Sequence, residues 1–154
     1  VEIEGGISGY VQKIGWRSTH IRMFSNNVVV VPNTKVASST LTNYDLQDTE
    51  TSVYVKCGVA YGTDLQKAED IIVKIGKETL SQVQSGVPEF DPFVRFNNFG
   101  DSSVDFTVIL RAKKYDDHFV LKHEFIKNLH KGLAEAGIEI PFPQRVVHRS
   151  APFG

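Results

Sequence analysis

Apolar residues fall with two different periods along this chain, and the change comes about a third of the way through. In the first fifty residues the period is short. Val11 and Ile14 are apolar points on a strand that ends near Gly15-Trp16, and Thr19, Ile21 and Met23 then alternate with Ser18, His20 and Arg22. Alternation of this kind belongs to a half-buried β-strand. Gly5, Gly6 and Gly9 punctuate the start. Ser25-Asn26-Asn27 predicts a tight turn, because asparagine tolerates a left-handed backbone. Residues 28–31 are four consecutive valines, which predicts a strand covered on both faces. Pro32 lacks the donor a ladder needs and ends that strand. Asn33 is placed to cap the short turn that follows, and residues 41–46 allow one more short strand.

From about residue 50 the pattern becomes mixed. Val53, Val55, Cys57 and Val59 alternate with Tyr54 and Lys56 as a strand. Thr63 with Gln66 three places later has the form of a capping box. A helix follows with Leu65, Ala68, Ile72 and Ile75 on one face, and Gly86 and Pro88 mark its exit. Residues 93–96 predict a strand and 97–101 a turn. Val104, Phe106, Val108, Leu110 and Ala112 then form the clearest alternation in the chain. Asp116 and Asp117 open a second helix, where carboxylates favour the positive end of the dipole. Its apolar face is Leu121, Phe125, Leu129, Leu133 and Ala136, and Gly137 ends it. A last strand is predicted over residues 145–148. The order β-α-β-β-α-(β) approaches a split βαβ, or ferredoxin-like, arrangement. The stretch between the two parts contains neither proline nor glycine, which argues for a continuous join rather than a loose linker.

Composition narrows the function. The chain has 154 residues, 41% hydrophobic and 23% charged, with a net charge of -1. That supports a packed core and argues against disorder. It also lacks the basic excess of a duplex-binding module or an anionic-lipid patch. One cysteine, Cys57, excludes an internal disulfide and reads as a small apolar residue on a strand. The longest aliphatic run is residues 28–31, far short of the about 20 residues a membrane-spanning helix needs. The sequence starts within a strand pattern, so it reads as a segment of a longer protein.

Candidate chemistry is sparse. His123 and His130 share a helix face but lie about 10.5 Å apart along the axis, too far for one ion. His118 faces elsewhere, and no CxxC or HExxH occurs. No GxSxG, phosphate loop or nucleophile-base pair is present, so neither an enzyme nor a cofactor is expected. Phe93, Phe96 and Phe106 are the residues a single-stranded RNA surface would use, but Phe106 shares its parity with core positions and no RNP1 pattern occurs.

Six phrases in order carry a resemblance. They are Gly9-Tyr10-Val11-Gln12-Lys13-Ile14, Arg17-Ser18-Thr19-His20-Ile21-Arg22, Val29-Val30-Val31-Pro32-Asn33, Asn43-Tyr44, Val59-Ala60-Tyr61-Gly62-Thr63-Asp64, and residues 137–144 from Gly137 through Pro141, Phe142 and Pro143 to Gln144. Together they resemble the cytoplasmic region of the small-conductance mechanosensitive (MscS-like) channel family, over nearly the whole chain. The resemblance implies an α+β fold. Residues 1–50 would form an Sm-like small β-barrel, truncated and missing its first strand. Residues 51–143 would form the ferredoxin-like domain, and residues 144–154 a C-terminal strand and tail.

The function implied is the soluble cage of a homoheptameric channel of the inner membrane, on the cytoplasmic side, releasing ions and small solutes under hypo-osmotic tension. Partners would be other copies of the chain, the membrane through helices upstream, and the permeating solutes; no nucleic acid is expected. Pro32, Asn33, Asn43, Gly137, Pro141, Pro143 and Gln144 would be structural. Arg145, Val146, Val147, His148 and Arg149 would build an intersubunit barrel on the ring axis. Arg145, Val147 and Arg149 share one parity and Val146 and His148 the other, so one set would line that axis. A rival reading keeps the fold and makes the chain a soluble oligomeric module binding RNA or a small osmolyte.

Overall fold

A computed structural model of the chain describes residues 1–46 and 49–144. The chain divides into two compact units, Val1–Thr49 and Glu50–Gly154.

The first unit is one five-stranded antiparallel sheet and a short helix. Its elements are β1 (Glu2–Ile3), β2 (Ile7–Ile14), β3 (Ser18–Met23), β4 (Val28–Pro32), α1 (Asn33–Ser38) and β5 (Leu41–Thr42), with strand order β4-β3-β2-β1-β5. Among the described residues the sheet stays open: β4 and β5 stand at opposite ends and the barrel does not close. The core is small, built on Ile3, Ile21 and Val31 with Val1, Ile7, Val29 and Val36 packed around them. Asn26 takes φ 66°, and its N–H donates to the Met23 carbonyl at 2.9 Å. The asparagine-rich β3–β4 turn therefore forms as predicted.

Three local expectations are corrected here. The valine run is not covered on both faces: Val31 is buried, but Val28 and Val30 are 45% and 55% exposed. Alternate side chains leave a strand on opposite sides, and this unit has one sheet with its core on one side. The run reflects β-propensity rather than double burial. Asn33 is not a cap. Pro32 occupies the N-cap position with no side-chain cap bond, and Asn33 is the first residue of α1. Finally, β5 is only two residues long, because the Asn43 side-chain oxygen accepts from the Asp45 N–H at 3.1 Å and turns the chain.

The second unit contains β6 (Thr51–Ala60), α2 (Leu65–Gln82), β7 (Phe93–Phe99), β8 (Ser103–Ala112) and α3 (Asp117–Glu135). The sheet order is β6-β8-β7, all antiparallel, with the clearest alternation of the sequence in the centre. Val104, Phe106, Val108 and Leu110 of β8 and Val53, Val55 and Val59 of β6 meet Ala68, Ile72, Ile75 and Leu80 of α2 and Leu121, Phe125, Leu129 and Leu133 of α3. The predicted faces of both helices are thus the buried ones. The helices pack tightly where Gly132 faces Ile75; a Cβ there would lie 2.4 Å from the Ile75 Cδ1. The Asn128 Nδ2 donates across the same seam to the Thr79 Oγ1 at 3.0 Å.

Capping differs from expectation at the start of α2. Asp64, not Thr63, is the N-cap, its Oδ1 accepting from the Lys67 N–H at 3.1 Å. Thr63 instead donates its hydroxyl to the Ala60 carbonyl at 2.7 Å. The backbone path brings the Asp64 carboxylate to the Lys67 N–H, where a negative charge also suits the positive helix end. The asparagines after Phe96 do not form a turn either. They belong to β7, with an irregular register between Phe96 and Asn98, and the chain turns only at Gly100, whose N–H donates to the Ser103 carbonyl.

The end of α3 is as predicted. Gly137 has φ 69°, its N–H donates to the Ala134 carbonyl, and the Ile138 N–H donates to the Leu133 carbonyl. These two bonds with a left-handed glycine form a Schellman motif. The buried Ile138 joins the core and anchors the exit.

Candidate functional site

The described residues singled out in sequence, Asn43 apart, lie at two junctions, one in each unit. In the first unit the Val31-Pro32-Asn33 phrase meets the turn between β2 and β3. Asn33 Nδ2 donates to the Gly15 carbonyl at 2.9 Å and to the Trp16 carbonyl at 3.3 Å. Its Oδ1 accepts from the Thr19 hydroxyl at 2.9 Å, and its backbone N–H donates to the Arg17 carbonyl. One amide therefore ties together phrases sixteen or so residues apart in sequence. Thr19 is buried, so its hydroxyl needs this partner. Asn33→Ala is expected to destabilise the first unit by about 2–3 kcal/mol, since several bonds go and a buried hydroxyl is orphaned. Amide exchange of β2–β4 measures it; protection equal to that of the parent would contradict it. Asn43 itself is exposed and serves its own turn, while the neighbouring Tyr44 hydroxyl donates to the Glu2 carboxylate at 2.6 Å.

In the second unit the exit phrase passes one rung of pairing and then leaves. The Ala60 N–H donates to the Glu139 carbonyl at 3.0 Å, which covers the end of β6. Pro141 and Pro143 have no N–H, so the chain cannot continue along that edge. The Gln144 N–H then meets the Ser102 hydroxyl at 3.0 Å. The proposed axial residues Arg145, Val146, Val147, His148 and Arg149 lie outside the described residues.

The sheet face turned from the helices carries the remaining polar chemistry. Lys56, Thr107 and Arg95 stand in one row across three strands, and Gly58, Asp105 and Asn98 in the next. Sequence reading did not single out Asp105 or Thr107, because their partners are brought together only by the strand register. Phe106 is buried with the Phe96 ring 5.8 Å from its own, and the Phe93 ring lies under the Arg95 guanidinium at 4.6 Å. The three rings therefore form no shared platform for bases. Burial pushes the Cys57 thiol pKa up, which keeps it a thiol rather than a nucleophile. Among the described residues no group of three or more His, Cys, Asp or Glu is placed to hold a metal ion. No helix among them is long and apolar enough to cross a membrane.

Both units match models of one family. The model described as "Mechanosensitive ion channel MscS, C-terminal" matches residues 53–140, and "Mechanosensitive ion channel, beta-domain" matches residues 1–46. The chain belongs to the MscS family of mechanosensitive ion channels. An MscS family protein of Archaeoglobus fulgidus is 37% identical over 92% of this chain and 48% of its own length. The mechanosensitive channel MscK of Escherichia coli is 33% identical over 94% of this chain and 12% of its own. Among solved structures, closed-state MscS of Helicobacter pylori superposes with a TM-score of 0.82 at 27% identity, covering 97% of this chain and 57% of that one. The chain thus spans at most about half the length of these curated relatives. The α+β fold expected from the sequence is that of the MscS β-domain and C-terminal region, the first sheet staying open among the described residues.

Proposed function

We propose that this MscS-family chain is the water-facing cage of a tension-gated ion channel. The observation that carries the reading is the match to both channel modules, in order, across nearly the whole chain. Seven copies close a ring on the cytoplasmic side of the cell membrane, below a pore built from segments outside this sequence. Ions and small solutes pass through the cage when hypo-osmotic swelling stretches the bilayer.

A ring requires a heterologous contact, one patch on each copy meeting a different patch on its neighbour. The cage itself does not sense tension. Tension biases gating only through the area difference between open and closed membrane segments.

The test is electrical. The full-length protein, reconstituted in liposomes and patched, is expected to open under suction steps and to close on release. Absence of tension-dependent current in bilayers where a known channel responds overturns the reading. Mass measurement of the same preparation gives the copy number, and a monomer or dimer contradicts the ring.

A further inference from the structure

The groove over Asp105 and Thr107 has no part in the fold already described. It measures about 490 Å³, and Lys56, Asn97, Asn98, Asp105 and Thr107 are among its lining residues. Two opposite charges thus line one groove without neutralising each other. No ion pair joins Lys56 to Asp105, and among the described residues neither forms one elsewhere.

The negative end is held in place. The Ser103 hydroxyl donates to Asp105 Oδ1 at 2.6 Å and Asn98 Nδ2 donates to Oδ2 at 3.0 Å. These bonds, Ser103 first, hold the carboxyl below its ordinary pKa, so it is charged at neutral pH. Each oxygen keeps a further lone pair for a ligand. Glycines keep space beside it: a Cβ at Gly58 would lie 2.9 Å from Oδ1, and one at Gly100 would lie 3.0 Å from Oδ2.

The other end is a donor set. Thr107 Oγ1 accepts from Asn97 Nδ2 at 2.8 Å, which leaves the hydroxyl hydrogen free to donate. Lys56 stands beside Thr107 on β6 and Arg95 beside it on β7. The Arg95 guanidinium leans over Phe93, so it adds positive potential rather than a direct contact. Asp105 and Thr107 are two residues apart on one strand, about 6.7 Å, so one small molecule spans both ends.

We infer that this groove binds a small zwitterion of the α-amino acid type, its ammonium on Asp105 and its carboxylate on Lys56 and Thr107. A simple anion is disfavoured by Asp105 and a simple cation by Lys56, so only a molecule carrying both charges satisfies both ends. In a cage that passes solutes, this names a class of solute the wall holds transiently. That physiological sense rests on the proposed channel function, but the binding does not.

The experiment is an NMR titration of the chain with L-alanine, following backbone amides. Saturable shifts are expected at Lys56, Asn98, Asp105 and Thr107. Acetate and methylammonium, each carrying one end, are expected to give less than about a third of that response. Lys56→Gln and Asp105→Asn are each expected to weaken apparent affinity at least about fivefold, the scale of one partly exposed charge contact. Lys56 is exposed and makes no ion pair among the described residues, so its variant folds and keeps the test decisive. Shifts no larger than those from sodium chloride at matched ionic strength, or a Lys56→Gln titration equal to that of the parent, overturn the inference. Currents without alanine binding would remove this site alone; binding without currents would remove the channel reading alone.

Discussion

Phe125→Ala is expected to cost the second unit about 3–5 kcal/mol, the range for emptying an aromatic site in a packed core. Phe125 is fully buried in the middle of α3, in the cluster formed with β6, β8 and α2. Its neighbours cannot simply collapse into the space. The α2–α3 seam is held at contact distance by Gly132 against Ile75 and by the Asn128–Thr79 bond, so the cavity stays open. Whole domains are stable by only about 5–15 kcal/mol, so the loss takes a large share. Urea denaturation followed by far-UV circular dichroism measures it. Phe125→Leu, which keeps most of the volume, is expected to lose about 1–2 kcal/mol. Equal midpoints for Phe125→Ala and the parent would show that the site is not packed as described.

Gly9→Ala is expected to unfold the first unit. A Cβ on Gly9 would lie 2.1 Å from the Arg22 carbonyl oxygen, 2.8 Å from its carbon and 2.9 Å from the Met23 Cα. All three are backbone atoms, so no rotamer change relieves the clash and β2 must separate from β3. Gly9 also exchanges backbone hydrogen bonds with Val1, its N–H donating to the Val1 carbonyl and its carbonyl accepting from the Val1 amino group. The same displacement would therefore strain the β1 ladder too. Overpacking costs about 1–3 kcal/mol and occasionally more, and here the clashing atoms are backbone that no rotamer can move. A unit of this size, with three buried apolar core residues among the described ones, has little to spare. Loss of dispersed amide signals from residues 1–46 is the expected observation; a dispersed spectrum with unchanged β2–β3 contacts would contradict it.

These two positions differ in how far the sequence announces them. Phe125 follows from helical spacing alone, because its place in the stripe with Leu121, Leu129 and Leu133 leaves one face to bury. Gly9 reads as strand punctuation, and nothing in the sequence says that the Arg22 carbonyl approaches its missing side chain. The same contrast runs through the caps. Gly137 was legible because helix C-termini demand a left-handed residue. The competition between Thr63 and Asp64 was not, since both can cap and only the backbone path decides which oxygen reaches the Lys67 N–H.

Asn33 marks the limit from the other side. Its position after Val31-Pro32 is conspicuous in sequence, yet its work is non-local: it binds Gly15, Trp16 and Thr19, which only folding brings to it. The groove at Asp105 was wholly hidden, because Lys56, Asn98 and Thr107 belong to three strands whose register is a tertiary property.

Periodicity by itself determined the two-part α+β order, both helix faces and the central strand, because amphipathic burial is a local constraint on each element. The six ordered phrases also sufficed to indicate the channel family. Tertiary structure alone decided that Val28 and Val30 face outward, that the asparagines after Phe96 continue a strand, and which polar side chains share a groove. Those outcomes depend on which strand lies beside which and in what register, a free-energy balance among distant segments that no single segment encodes.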